Sequence, residues 1–171
     1  MRIGIIKETR PGETRVAATP ETVKKLAAIA GHSVTIEAGA GAASSLPDEA
    51  YAAAGATIAA SADAILGASE LVLKVRAPNA QELAAMMPGC HLVGMLNPFN
   101  AEGIAAIKAR GVHGFSLERA PRTTRAQSLD VLSSQANIAG YKAVILAANH
   151  YPKFFPMLMT AAGTVKAARV V

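Results

Sequence analysis

Short apolar runs alternate along this chain with alanine-rich stretches whose apolar positions recur every three to four residues. "RIGII", Arg2 to Ile6, predicts a first strand. Thr19 predicts a helix cap with Pro20 at the first helical position. Val23, Leu26, Ala27 and Ala30 follow at helical spacing, and Gly31 closes the helix. "SVTIE", Ser33 to Glu37, predicts a second strand, and Pro47 to Gly55 a short helix. "ELVLKV", Glu70 to Val75, is a near-continuous apolar run, as a parallel strand buried on both faces requires. A helix capped by Asn79, a strand from His91 to Leu96, a helix between Asn100 and Gly111 and a strand from Val112 to Ser116 continue the alternation. Ser133 or Ser134 is then expected to cap a long helix through about His150, broken at Pro152. Val170 and Val171 look like the beginning of one more strand, which points to a piece of something longer.

Strands alternating with helices argue for an α/β fold. The expected architecture is an open, mostly parallel, Rossmann-like (flavodoxin-like) sheet with helices on both faces, followed by a long linking helix. Residues 1–132 are expected to form the α/β domain, and residues 133–171 the linking helix and a lead-in to a further domain. Crossovers in such sheets are right-handed, and ligands bind outside the carboxyl ends of the strands. The segment that leaves the last of these strands carries Arg119, Arg122, Arg125, Gln127 and Asp130, so it emerges where a ligand is expected.

Composition narrows the ligand. The formal charge is +5, but the bases form no run and aromatic residues are only 4%, which leaves no stacking surface for single-stranded nucleic acid. An anionic small molecule such as a dinucleotide suits the arginines better. Hydrophobic residues at 51% and a mean hydropathy of +0.29 exclude a disordered chain. No apolar run is long enough to span a bilayer. The N-terminus has no secretory apolar core, and Cys90 stands alone, so a reducing cytosol is the expected setting. His32, His91, His113 and His150 are scattered without ligand spacing, so no metal is expected.

"GAGAAS", Gly39 to Ser44, starts like a dinucleotide fingerprint but has Ser44 where the third glycine belongs, and a plain turn after a strand is the preferred reading. "KETRPGETRVAATP", Lys7 to Pro20, is more specific. It follows K-E-x-x-x-x-E-x-R-V-A-x-x-P through Lys7, Glu8, Glu13, Arg15, Val16, Ala17 and Pro20. Further on, Arg122, Arg125, Ala126, Gln127, Asp130, Leu132, Ser133, Ser134, Asn137, Ala139, Gly140 and Tyr141 stand in a second pattern, and "TAAG" at Thr160 to Gly163 belongs with it.

On these motifs the chain resembles the family that joins alanine dehydrogenase to the α subunit of nicotinamide nucleotide transhydrogenase, over essentially its whole length. The second pattern resembles the transhydrogenase branch. The resemblance implies the N-terminal domain of the NAD(H)-binding component of a proton-translocating NAD(P)+ transhydrogenase. NADP(H) would be held by a partner subunit, and hydride would pass directly from NADH to NADP+. It implies that Arg122, Gln127, Asp130 and Ser133 clamp the nicotinamide end of NAD(H). Asp130 and Ser133 would orient the carboxamide, Gln127 would reach towards the second ring, and Arg122 would offer a forked cation. Gln127 and Asp130 would act in the transfer itself. Membrane-embedded partners, a homodimer in the full-length protein and a cytoplasmic position peripheral to the inner or plasma membrane are implied in the same way. A glycine-loop NAD-binding domain would come after this chain, with C-terminal helices that return to complete the first domain, so the isolated chain is expected to be inactive. In the alanine dehydrogenase branch a catalytic histidine would stand near the end of the "HLVGML" strand; here that position holds Asn97. Arg15 and Lys74, which would hold a substrate carboxylate in that branch, are retained, and a structural polar network is the preferred reading for them. The alternatives are an alanine-dehydrogenase-like, NAD-dependent amino-acid dehydrogenase fragment and a non-catalytic interaction module.

Overall fold

The computed structural model describes residues 1–121 and 123–170. The chain divides into two compact units, Met1–Leu129 and Asp130–Val171.

The first unit is built on a sheet of β1 (Arg2–Ile5), β2 (Ser33–Glu37), β3 (Ala56–Ala59), β4 (Leu71–Arg76), β5 (His91–Met95) and β6 (His113–Ser116). The spatial order is β3-β2-β1-β4-β5-β6 and every neighbouring pair is parallel. This is the Rossmann order, with its reversal between β1 and β4. The expected parallel α/β sheet is therefore present. The sequence pattern misses β3 and the short helix after it, because "ATIA" is a small edge strand with no apolar run to announce it.

Alternating side chains feed two cores. Ile3, Ile5, Val34 and Ile36 pack on one face against α1 (Pro20–Ala27) and α2 (Asp48–Ala53). Val72 and Leu92 pack on the other against α3 (Ala62–Leu66), α4 (Ala80–Ala85) and α5 (Ala101–Ala109). The helix starts are those the sequence marks: Thr19, Asn79 and Asn100 each accept an N–H of the first turn. Asn79 and Glu82 form a reciprocal capping box. Tyr51, fully buried on α2, donates its hydroxyl to the Ala18 carbonyl at 2.8 Å, so its polar end is satisfied inside the core. One part of the sheet stands apart: His91, Val93 and Met95 of β5, with His113 and Phe115 of β6, belong to neither core, and Phe115 is 54% exposed.

The second unit opens with α6 (Val131–His150), the expected long helix. Its cap is Asp130, three residues before the first serine expected to serve. The Asp130 carboxylate accepts the Ser133 N–H at 3.0 Å and the Ser133 hydroxyl at 2.7 Å. Ser134 lies inside the first turn and donates to the Asp130 and Val131 carbonyls. A carboxylate accepts better than a hydroxyl and adds favourable charge at the helix start, which is why the aspartate wins the position. After the helix, β7 (Leu158–Thr160) and β8 (Gly163–Val165) form an antiparallel hairpin, with "TAAG" at its turn. Residues 166–170 have no regular structure, so no strand begins at Val170, and Val171 lies outside the described residues. Among the described residues, no helix is long and apolar enough to cross a membrane.

Candidate functional site

A crevice of about 330 Å³ opens at the carboxyl edge of the sheet, at the β1/β4 reversal where this fold places ligands. Glu8 and Arg10 enter it from the loop after β1, Lys74 and Arg76 from the end of β4, and Asn97 and Asn100 from the turn after β5.

A bulge in β4 aims Lys74. The register with β5 shifts between Leu73 and Arg76, and the consecutive residues Lys74 and Val75 are both buried. Gly94 of β5 permits it, because a Cβ there would collide with the Lys74 carbonyl oxygen. The Glu8 carboxylate accepts the Val75 N–H at 2.7 Å. The Lys74 ammonium, almost fully buried, sits 3.5 Å from Glu8 Oε2 and 3.2 Å from Glu82 Oε2. Glu82 in turn accepts from the Thr9 hydroxyl and the Asn79 N–H. The charges are thus paired and bonded inside the fold, as the preferred sequence reading of Lys74 has it.

A second cluster gathers around Glu13 and shares Arg76 with the crevice lining. Arg15 grips both oxygens of Glu13 at 2.7 and 2.6 Å, and Arg76 Nε adds a bond at 2.9 Å. The Arg15 side-chain bonds hold the Glu13 carboxyl down at about 2 against an ordinary 4.5; burial opposes this, and bonds from the Arg15 backbone and from Arg76 assist it. Sequence reasoning named Glu8 and Glu13 only as positions of the first motif and Glu82 not at all, and it paired none of them with Arg15 or Lys74. The K-E-x-x-x-x-E-x-R motif contains two of the three, and the Asn79-x-x-Glu82 spacing of a capping box was a readable sign of the third.

At the mouth, Asn97 takes a left-handed conformation with φ 52°, one of the few non-glycine types that tolerates it. No histidine lines the crevice among the described residues. His91 and His113 instead stand exposed at the starts of β5 and β6, at the opposite edge of the sheet. No group of three or more metal-ligating side chains occurs among the described residues.

The sequence-predicted site residues are spread over both units. Gln127 lies in the first unit, exposed in a 3-10 turn, Thr124–Leu129, that is pinned by the buried Ala126. It does not line the crevice. Asp130 and Ser133 belong to the second unit and are joined to each other at the start of α6. Arg122 lies outside the described residues. The "GAGAAS" turn is given over to packing. Gly39 donates its N–H to the Asp48 carboxylate at 2.9 Å, and a Cβ on Gly41 would meet the Leu46 carbonyl at 2.6 Å and the Tyr51 ring at 2.7 Å.

Fold and crevice define an α/β domain of Rossmann order with a polar crevice at the carboxyl edge of its sheet. The chain belongs to the alanine dehydrogenase/transhydrogenase family: its residues 4–139 match the family described as "Alanine dehydrogenase/PNT, N-terminal domain". It is 46% identical over 180 aligned positions to the first portion of the NAD(P) transhydrogenase alpha subunit of Rhodospirillum rubrum, covering 100% of this chain and 46% of the relative. A crystal structure of transhydrogenase from Sinorhizobium meliloti superposes with a TM-score of 0.91 at 48% identity, over 98% of this chain and 50% of that one. The alanine dehydrogenase of Methanococcus maripaludis is 34% identical over 90% of this chain and 40% of its own length. The chain thus spans about half the length, or less, of the relatives it matches.

Proposed function

We propose that this chain is part of the NAD(H)-binding component of a proton-translocating NAD(P)+ transhydrogenase, in which hydride passes from NADH to NADP+ held by a partner subunit. The observation that carries the reading is Asn97. An amino-acid dehydrogenase must exchange a proton with its substrate as well as a hydride, so its crevice needs an acid–base group. Asn97 has none, and the carboxylates nearby, Glu8 and Glu82, are paired with Lys74. Transfer between two nicotinamide rings needs no proton exchange, only position and the exclusion of water. Greater identity to the transhydrogenase subunit than to the alanine dehydrogenase supports the same branch.

In this reading residues 133–171 link the α/β domain to a glycine-loop domain that binds most of the dinucleotide. Arg122, Gln127, Asp130 and Ser133 meet its nicotinamide end: Asp130 and Ser133 orient the carboxamide, and Gln127 approaches the second ring. The uncovered strip of Val93, Met95 and Phe115 is the surface for the remaining polypeptide of the full-length protein. The exposed apolar side chains of α6, among them Ile138, Tyr141 and Val144, are covered by a second copy in a homodimer. Membrane subunits hold the assembly at the membrane surface and couple transfer to proton movement.

The test is a pair of assays on the full-length protein. Mixed with an NADP(H)-binding component it transfers hydride between NADH and an NADP+ analogue; supplied with L-alanine and NAD+ it forms no NADH. Alanine-dependent NADH formation would transfer the chain to the dehydrogenase branch.

A further inference from the structure

One carboxylate joins the crevice mouth to the loop that carries Gln127. Glu118 sits in a 3-10 turn, Leu117–Arg119, directly after β6. Its Oε1 accepts the Asn97 N–H at 2.9 Å, and its Oε2 accepts the Leu96 N–H at 3.1 Å and the Ser116 hydroxyl. Burial works to raise its carboxyl, but the bonds from the Ser116 hydroxyl and from backbone N–H groups outweigh it and hold the group below the usual range. Leu96 is 3% exposed, so this end of β5 is fixed in the core, and the carboxylate grips it from outside. The Asn97 carbonyl accepts the N–H of Asn100, the cap of α5, so the grip extends to the helix that lines the crevice.

We propose that Glu118 is a positioning residue for hydride transfer: it fastens the root of the Gln127 loop to the end of β5 and thereby fixes the loop at the carboxyl edge of the sheet. The inference rests on the assignment of Gln127 to the transfer step. Between the two anchors of the loop, Glu118 at its root and the buried Ala126, residues 119–121 and 123–125 are mostly exposed. Ala126, buried and bonded through its N–H to the Thr123 carbonyl, sets one point at the far end of the loop. The second point is the Glu118 clamp. A glutamine cannot replace it: its NH2 group would face either the Asn97 N–H or the Leu96 N–H, leaving a donor opposed to a donor.

The experiment uses the full-length protein with its NADP(H)-binding component, and reads single-turnover hydride transfer beside NADH titration. The variants are Glu118→Gln, Ser116→Ala, Gln127→Asn and the Glu118→Gln/Gln127→Asn double variant. Glu118→Gln is expected to slow transfer by about tenfold or more, with NADH affinity unchanged within about twofold, since loss of position costs rate and spares ground-state binding. Ser116→Ala, which removes one bond of the clamp, shifts the rate the same way by less. The double variant is no slower than the slower single one, because both displace the same amide. Transfer at the wild-type rate in Glu118→Gln, with Gln127→Asn slow, overturns the role of Glu118 and leaves that of Gln127 standing. Multiplying effects in the double variant overturn it too. A wild-type rate in Gln127→Asn overturns both. If Glu118→Gln does not fold, Ser116→Ala decides, and an unchanged rate there overturns the proposal.

Discussion

A buried ammonium between two carboxylates is valuable or costly according to which member is removed. In the Glu8–Lys74–Glu82 cluster all three side chains are more than nine-tenths buried, so solvent cannot replace a lost partner. Lys74→Met removes the cation and leaves two carboxylates facing one crevice wall. A loss of about 3–5 kcal/mol in unfolding free energy is expected from urea titration. Glu8→Gln should cost less, because the amide oxygen still accepts the Val75 N–H and Lys74 keeps Glu82, although the new NH2 then faces the ammonium. If the two variants prove equally mild, the cluster is more hydrated than its burial indicates. Glu13 supplies the pH dependence. Its carboxyl is depressed from 4.5 to about 2, so its stabilisation is present above pH 4.5 and is lost as pH falls through about 2. Screening at the more exposed Arg15 and Arg76 limits the effect to about 2 kcal/mol. Between pH 5 and 2 the Glu13→Gln variant should lose less stability than the wild type, a difference that denaturant titration at each pH measures.

At the scale of elements, the start of α6 separates two roles that one residue can hold. Asp130 caps the helix, and it is also the residue proposed to orient the carboxamide. Asparagine caps about as well as aspartate but carries no charge and presents a donor. Asp130→Asn should therefore leave the unfolding midpoint of the full-length protein nearly unchanged while weakening NADH binding, whereas Asp130→Ala should lose about 1 kcal/mol of stability as well. Equal NADH affinity in wild type and Asp130→Asn would leave the residue as a cap alone. The cap was legible in the sequence only to within a turn, because "DVLSS" offers three capping side chains and the spacing does not choose among them. The central strands were legible for a physical reason: strands buried on both faces must be continuously apolar, as "ELVLKV" is. Edge strand β3, half-paired and built from small residues, carries no such mark. The bulge in β4 was hidden as well, since it depends on Gly94 of a neighbouring strand and on the Glu8 carboxylate.

At the scale of the whole molecule, the question is what this Rossmann-ordered sheet does with a dinucleotide. In nucleotide-binding members of the fold, a glycine-rich turn after the first strand opens a helix whose free N–H groups face the pyrophosphate. Here the segment between β1 and α1 is a long polar loop, and its glycine, Gly12, stands well away from the helix start at Pro20. The crevice at the reversal point contains the carboxylates of Glu8 and Glu82, whose charge opposes a phosphate. Its lysine is already paired with both and its Arg76 is bonded to Glu13, while Arg10, which also lines it, stands outside these pairings. Glu37, at the end of β2 where an acid would meet a ribose, instead accepts the Lys7 N–H at 2.7 Å. Arg10 apart, these groups, which the fold could offer a dinucleotide, are thus engaged in holding the sheet edge together. The 171-residue chain by itself is accordingly expected to bind NADH with a Kd of about 1 mM or weaker, about −4 kcal/mol or less favourable. Titration calorimetry on the isolated chain, with the full-length protein as the positive control, makes the measurement. A micromolar Kd, about −8 kcal/mol, would mean that the crevice accepts the pyrophosphate despite Glu8 and Glu82. Glu8→Gln should then tighten binding further, since it removes one of the opposing charges. If binding stays weak and Glu8→Gln leaves it unchanged, the sheet edge serves the fold, and the dinucleotide is held by the rest of the polypeptide.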